Sequence, residues 1–477
     1  MQIRRIVSTL SVVLLASAVL FHPVVSDAQT AYTRIASFDA LSGAGVLPHM
    51  ELVECSDGWL YGATSSGGAN GSGCIYRISK SGGGLAPIFN FPVGNSASGR
   101  LIELGDGTLC GTTGGSSSDA GMIYKVNKDG SGFTVLHAFP AFTNDGGKPT
   151  GGVVAGTKGY LYGVTFGGGI SGNGTTNKGT VFRLKTDGGS YSILHSFGDT
   201  NDAASPIAAP CLGSDGVLYG ATQAGGSNGM GAVFRMNTDG TGYSVLRHFG
   251  GPPSDGQLPL CQLMEGGDGF LYGTTHLGGS NSLGTIFKLA KGVSGTSYTV
   301  LRHLNSGSEG HRPWAGLVQG TNGLLYGTAR YGGAGGYGTV FRLAADGTEY
   351  TVLHAFPNDA NDGSQPLAAL LQASDGNFYG STHYGKNFEF TGTLFKLSLV
   401  LPGNVIITSI TPASGSYLLS FAGGVPGQNY QVLATTNQLT QNWVQIGSAM
   451  ALTDGTFQFT DSMATNYPSR FYRSRQP

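Results

Sequence analysis

Charge is what this sequence has least of. Asp, Glu, Lys and Arg make up 11 % of the 477 residues and nearly cancel, leaving a formal net charge of −1. With no block of Lys or Arg, there is no field to draw a phosphate backbone or an acidic lipid surface, so nucleic acid is not expected as a partner. Cysteine is scarce as well: Cys55, Cys74, Cys110, Cys211 and Cys261 are odd in number and irregular in spacing. That rules out a disulfide framework and C-x-x-C metal ligation, and leaves five small hydrophobes suited to a core. No segment repeats apolar residues at i, i+3, i+4 and i+7, so amphipathic helices are absent from the expectation. His-Glu-x-x-His and the phosphate-binding loop are missing too, and no metal or cofactor is expected.

Long apolar runs are absent beyond the first residues. Arg4 and Arg5, an apolar stretch from Ile6 to Phe21 and Ser26-Asp27-Ala28 read together as a secretory signal peptide over 1–28. The apolar stretch is shorter than the ~20 residues that a membrane span needs. Export is expected, to the medium or the cell surface, with no membrane span after signal removal.

Glycine, by contrast, is abundant: 82 residues. Mixed with Val, Tyr, Phe and Thr, it marks tight turns between short strands. Leu-Tyr-Gly recurs at Leu60, Leu161, Leu218, Leu271 and Leu325, changed to Leu109-Cys110-Gly111 in one copy and Phe378-Tyr379-Gly380 in another. The glycines Gly62, Gly111, Gly163, Gly220, Gly273, Gly327 and Gly380 are 49, 52, 57, 53, 54 and 53 residues apart. A period near 50 signals a propeller or solenoid. A Gly-Thr-Val-Phe strand and a Tyr-Thr-Val-Leu-His strand recur as often, and one further strand completes a four-stranded unit. The expected fold is therefore all-β, a seven-bladed β-propeller of four-stranded blades over 29–402. The array begins mid-unit, so one blade should take two strands from each end of the array, and the small residues of the Leu-Tyr-Gly strand place it innermost. After Leu401-Pro402-Gly403 the unit disappears, and short alternating runs over 403–477 suggest a small β-sandwich with Trp443 in its core.

The series Leu-Tyr-Gly-Thr-Thr, Gly-Gly, Gly-Thr-Val-Phe-Arg-Leu, Asp-Gly and Tyr-Thr-Val-Leu-His-x-Phe resembles the GloVer tandem repeat (Gloeo_Verruco repeat) family of exported bacterial proteins over about 31–398. The resemblance implies a propeller-like exported protein with a C-terminal sorting or anchoring module, and it brings no reaction. Pro426 to Tyr430, Trp443 and Arg470 to Arg473 are similar to C-terminal fibronectin-like modules.

Three sets of polar residues could carry chemistry. The histidines His137, His195, His248, His303 and His354 stand at like positions in different units and read as structural. The Asp-Gly pairs read as turns. The third set lies three and four residues after each Leu-Tyr-Gly glycine, where the strand should reach a mouth of the ring. There the repeats diverge, supplying Phe166, Gln223, His276, Arg330, Tyr331, His383 and Tyr384. Loops on a rigid scaffold are where binding resides. The leading expectation is a non-enzymatic protein that binds a glycan, peptide or surface partner through these residues. The alternative is a polysaccharide lyase or glycan-cleaving enzyme with His276 or His383 as base, Tyr331 or Tyr384 as acid and Arg330 on a substrate carboxylate. A purely structural surface layer is the third reading.

Overall fold

The computed structural model describes residues 30–475 apart from 39–42, 49, 116–119, 141–142, 173, 175–176, 252–253, 293–296, 358–361, 386–390, 400–405, 414–415, 423–428, 436–443, 453–455 and 464–470. The expected signal peptide, Trp443 and Arg470 lie outside the described residues. Two compact units separate, one spanning Thr30–Leu399 and a second that holds Val400–Pro477.

The larger unit is all-β, and seven of its sheets carry four strands or more. The fourth shows the pattern: Cys211–Leu212, Val217–Thr222, Ala232–Asn237 and Ser244–His248 pair antiparallel in chain order. The Leu-Tyr-Gly strand is thus second from the edge, not outermost on its side, which corrects its expected innermost place. Its glycine has a different cause from crowding at an axis. Gly220 faces Phe234 across the ladder, and a Cβ there would stand 2.4 Å from the ring's Cζ. The same pairing recurs as Gly62–Tyr76, Gly111–Tyr124, Gly163–Phe182, Gly273–Phe287, Gly327–Phe341 and Gly380–Phe395. All seven rings are fully buried. Each contributes about 1.5–3 kcal/mol gross by burial, set against the ordering of the chain.

The Asp-Gly turns before these strands do more than reverse the chain. The Tyr61, Tyr219, Tyr272 and Tyr379 hydroxyls donate to Asp57, Asp215, Asp268 and Asp375 at 2.7–2.8 Å. Cys110, buried where a tyrosine would stand, cannot do this, and Asp106 accepts from the Thr108 hydroxyl at 2.6 Å instead.

Thr30–Ser37 pairs with Thr393–Leu399, so the last sheet takes one strand from the start of the array and three from its end. The expected division of two and two is corrected. The short strand Val53–Glu54 opens the first sheet instead, because the ladder partner of Leu-Tyr-Gly is the segment just before it.

Neighbouring sheets are tied at two recurrent places. Ser56 donates through its amide and hydroxyl to Glu103 in the next sheet at 2.7 and 2.6 Å, and Ser214 does the same to Glu265 at 2.8 and 2.6 Å. Gly267 and Thr321 amides donate likewise to Gln319 and Gln372. The second tie is a stack. His137 lies on Tyr191 and His195 on Tyr243, both with centroids 3.7 Å apart, and His354 lies on Tyr32 at 3.6 Å. Their Nε2 atoms meet Asp145, Asp202 and Asp362 at 2.9, 3.0 and 2.7 Å. These histidines are scaffold.

The five histidines are not all equivalent, however. By ladder register Arg247 and Arg302 occupy the stacking position, opposite Val233 and Ile286, and they lie over Tyr298 and Tyr350. His248 and His303 stand one residue further on, where their Nδ1 atoms accept from the Ser227 and Ser280 amides.

In the smaller unit, Ile406–Ala413, Ser416–Ala422 and Phe457–Asp461 form one three-stranded sheet, and Val444–Met450, Asn429–Thr435 and Phe471–Arg475 another. Leu419, Phe421 and Phe457 of the first share a buried cluster with Tyr430 and Val432 of the second.

Candidate functional site

Each of the seven sheets is entered through a short extended segment, and six of these follow a proline: Pro48, Pro149, Pro206, Pro259, Pro313 and Pro366. The proline packs on the preceding sheet where only glycine leaves room. A Cβ on Gly284, whose φ is +103°, would stand 2.9 Å from Pro313 Cδ. The residues that follow line one cavity of about 480 Å³. Glu51, Arg100, Gly151, Ala209, Gln262 and Trp314 represent six sheets on its wall, and His383 belongs to the seventh.

Most of this wall is small or apolar, so its few polar groups stand out. Arg100 Nη1 lies 3.6 Å from Glu51 Oε2. Burial raises the Glu51 carboxyl above its usual value, and the Arg100 charge offsets part of that rise. Trp314, half-buried, carries the largest ring on the cavity wall. His276 meets it edge-on with centroids 5.4 Å apart, its Nδ1 3.3 Å from the Pro313 carbonyl. The Arg330 guanidinium is 5.5 Å from the Trp314 centroid and 4.9 Å from that of Tyr331, while its Nε donates to Gln365 Oε1 at 2.9 Å. Tyr331 stacks on His311, centroids 5.8 Å apart. Burial pushes the His276 pKa below its ordinary 6.5; the Pro313 carbonyl resists, and Arg312, Arg330 and His311 add to the fall.

The structure therefore gathers His276, Arg330 and Tyr331 around Trp314, as neighbours of the fifth and sixth sheets. His383 lines the cavity itself, and its amide donates to the Gln365 carbonyl at 3.0 Å. Its ring is 4.4 Å from that of Tyr384, whose backbone pairs with Ser364. Phe166 and Gln223 hold the matching backbone position in the third and fourth sheets, with amides on the Lys148 and Ser205 carbonyls. Like His276, Arg330, Tyr331 and Tyr384, neither is among the residues lining the cavity.

Sequence reasoning missed Trp314, Arg100, Glu51 and Gln262. A signal existed, since the three residues after each recurring proline differ from copy to copy as much as the strand ends do. Gly225 to Gly229 also has the Gly-x-Ser-x-Gly spacing of a nucleophile elbow, which needs a strand-to-helix turn. Here the segment connects two strands, and the Ser227 amide donates to His248 Nδ1 at 3.1 Å.

Comparison with known proteins adds a family and several folds. The model described as Gloeobacter/Verrucomicrobia repeat matches residues 22–177, 171–294 and 290–442. No curated protein matches the chain. Similar solved structures include an oligogalacturonate lyase from Vibrio parahaemolyticus, 11 % identical over 78 % of this chain and 94 % of that one, with a TM-score of 0.49. The GH74 xyloglucanase from Xanthomonas campestris is 11 % identical over 82 % of this chain and 59 % of that one, at 0.48. A chain of the nidogen/laminin complex is 17 % identical over 54 % and 81 %, at 0.36. These are likenesses of fold only.

Proposed function

We propose that this chain, which belongs to the Gloeobacter/Verrucomicrobia repeat family, is an exported protein that binds a glycan at the cavity beside Trp314. In this reading residues 1–28 are a secretory signal, and the seven sheets close as a propeller. The last sheet's Ser374 is bonded to Glu54 of the first, in support of closure. The unit after residue 403 is a fibronectin-like sandwich serving attachment or sorting, in keeping with its two small sheets around one apolar cluster.

The observation that carries the binding reading is the Trp314 ring on the wall of a cavity to which every sheet contributes. Sugars present C–H faces that pack on aromatic rings, and a half-buried tryptophan supplies such a face with little rotamer entropy to lose. Pockets that mix apolar walls with a few convergent polar groups are the usual form of a ligand site.

A glycan array probed with the full chain, followed by titration of each hit, tests this. The expected result is at least one hit whose affinity falls tenfold or more in Trp314→Ala, with no new product in the mixture. An array without hits, or hits indifferent to Trp314, would contradict it.

A further inference from the structure

Among the described residues, the groups gathered around Trp314 are cations and rings with no carboxylate paired to them. Arg330 donates there through Nε, and its acceptor is the neutral Gln365 amide. Arg312 Nε, buried, has no partner, and among those residues neither arginine enters an ion pair. The charged neighbours that act on His276 are Arg312, Arg330 and His311, all cations or potential cations. Three other arginines of the same unit do meet carboxylates: Arg100 meets Glu51, Arg247 meets Asp255 and Arg302 meets Glu309.

A guanidinium stacked between two rings is weakly hydrated, and its free N–H fork fits a carboxylate in two parallel bonds. Stacking alone would not make the site, since Arg77 lies over Trp59 at 5.0 Å and neither of those residues lines the cavity. Arg330 does not line the cavity either, but its ring partner Trp314 does, which sets this stack apart. Resting on the glycan reading above, we infer that the ligand is an acidic glycan: a uronate residue packs on Trp314 and its carboxylate takes the two terminal nitrogens of Arg330. The neighbouring Arg312 strengthens the field that draws the anion in.

Calorimetric titration of the full chain with galacturonate and mannuronate tetrasaccharides, each beside its carboxyl-reduced counterpart, tests the inference without any variant. At least one uronate should bind, and its reduced form should bind tenfold or more weakly. In Arg330→Gln the two forms should bind equally, while Arg77→Gln should keep the wild-type discrimination. Reduced sugars binding as tightly as uronates, no uronate binding, or discrimination surviving in Arg330→Gln would each overturn it. Neutral glycans that bind and depend on Trp314 would overturn the acidic ligand while leaving the glycan site standing. If no glycan binds at all, both fall.

Discussion

Ser374 and Glu54, separated by 320 residues, are bound twice: the serine amide and hydroxyl each donate to the carboxylate at 2.6 Å. Ser56 with Glu103 and Ser214 with Glu265 make the same two bonds between consecutive sheets. The junction between the last sheet and the first is therefore built like those inside the array.

Removing that junction should cost what removing an internal one costs. Hydrogen bonds to a charged group contribute about 1.5–3 kcal/mol each when sheltered, and partial exposure lowers the figure. Glu54→Ala is expected to lose about 1–2 kcal/mol in urea unfolding, with Glu103→Ala within a factor of two of it. A Glu54→Ala midpoint equal to wild type would count against closure through this pair.

Acid should loosen the same junctions. Burial works to raise the carboxyls of Glu54, Glu103 and Glu265, but bonds from Lys80, Lys128 and Lys291 and from the serines hold them below their usual 4.5. A depressed carboxylate stabilises the fold above its unfolded pKa and loses that contribution as pH falls through the folded value. Stability should thus be constant from pH 7 to about 5 and fall below that. The triple Gln variant should be weaker at pH 7 and flatter below about pH 5, as urea midpoints at about pH 7, 5 and 3 would read out.

Gly220→Ala should be severely destabilising although its backbone is ordinary extended strand. The new methyl would lie 2.4 Å from Phe234 Cζ and 2.5 Å from Cε1, so a buried ring must move. Overpacking of this kind costs roughly 1–3 kcal/mol or more. Adding Phe234→Leu makes room, and the double variant should be more stable than the sum of the single losses predicts. Strict additivity in a double-mutant cycle would show that the ring does not enforce the glycine.

His276 should titrate below 6.5, held down by burial and by the cations around it. Arg330→Gln removes one of those cations and should raise the His276 pKa, seen by NMR titration of its ring protons. An unchanged or lower value would separate His276 from Arg330 electrostatically.

Periodicity made the strands and their repetition legible, because turn glycines and β-branched runs are local signals. The Tyr76 to Phe395 aromatic series could be recognised as core for the same reason. What enforces Gly220 was not legible, since its cause is a ring across the ladder and not its own backbone. The one-and-three composition of the last sheet also escaped, because Val53–Glu54 is only two residues long and leaves no strand pattern. At the site, Arg330 and His276 were visible as departures from the repeat, whereas Trp314 follows a recurring proline in a short connection that carries no strand pattern. Of the seven residues that the sequence rule named, His383 lines the cavity, while Phe166, Gln223, His276, Arg330, Tyr331 and Tyr384 do not.

The most direct measurement is a crystal structure of the full chain with a bound uronate oligosaccharide. The account predicts a sugar ring on the face of Trp314, inside the cavity that Glu51, Arg100 and Gln262 also line, with its carboxylate reaching the Arg330 terminal nitrogens. A sugar found instead on the Trp59–Arg77 stack, or a cavity left empty while the ligand sits elsewhere, would contradict it.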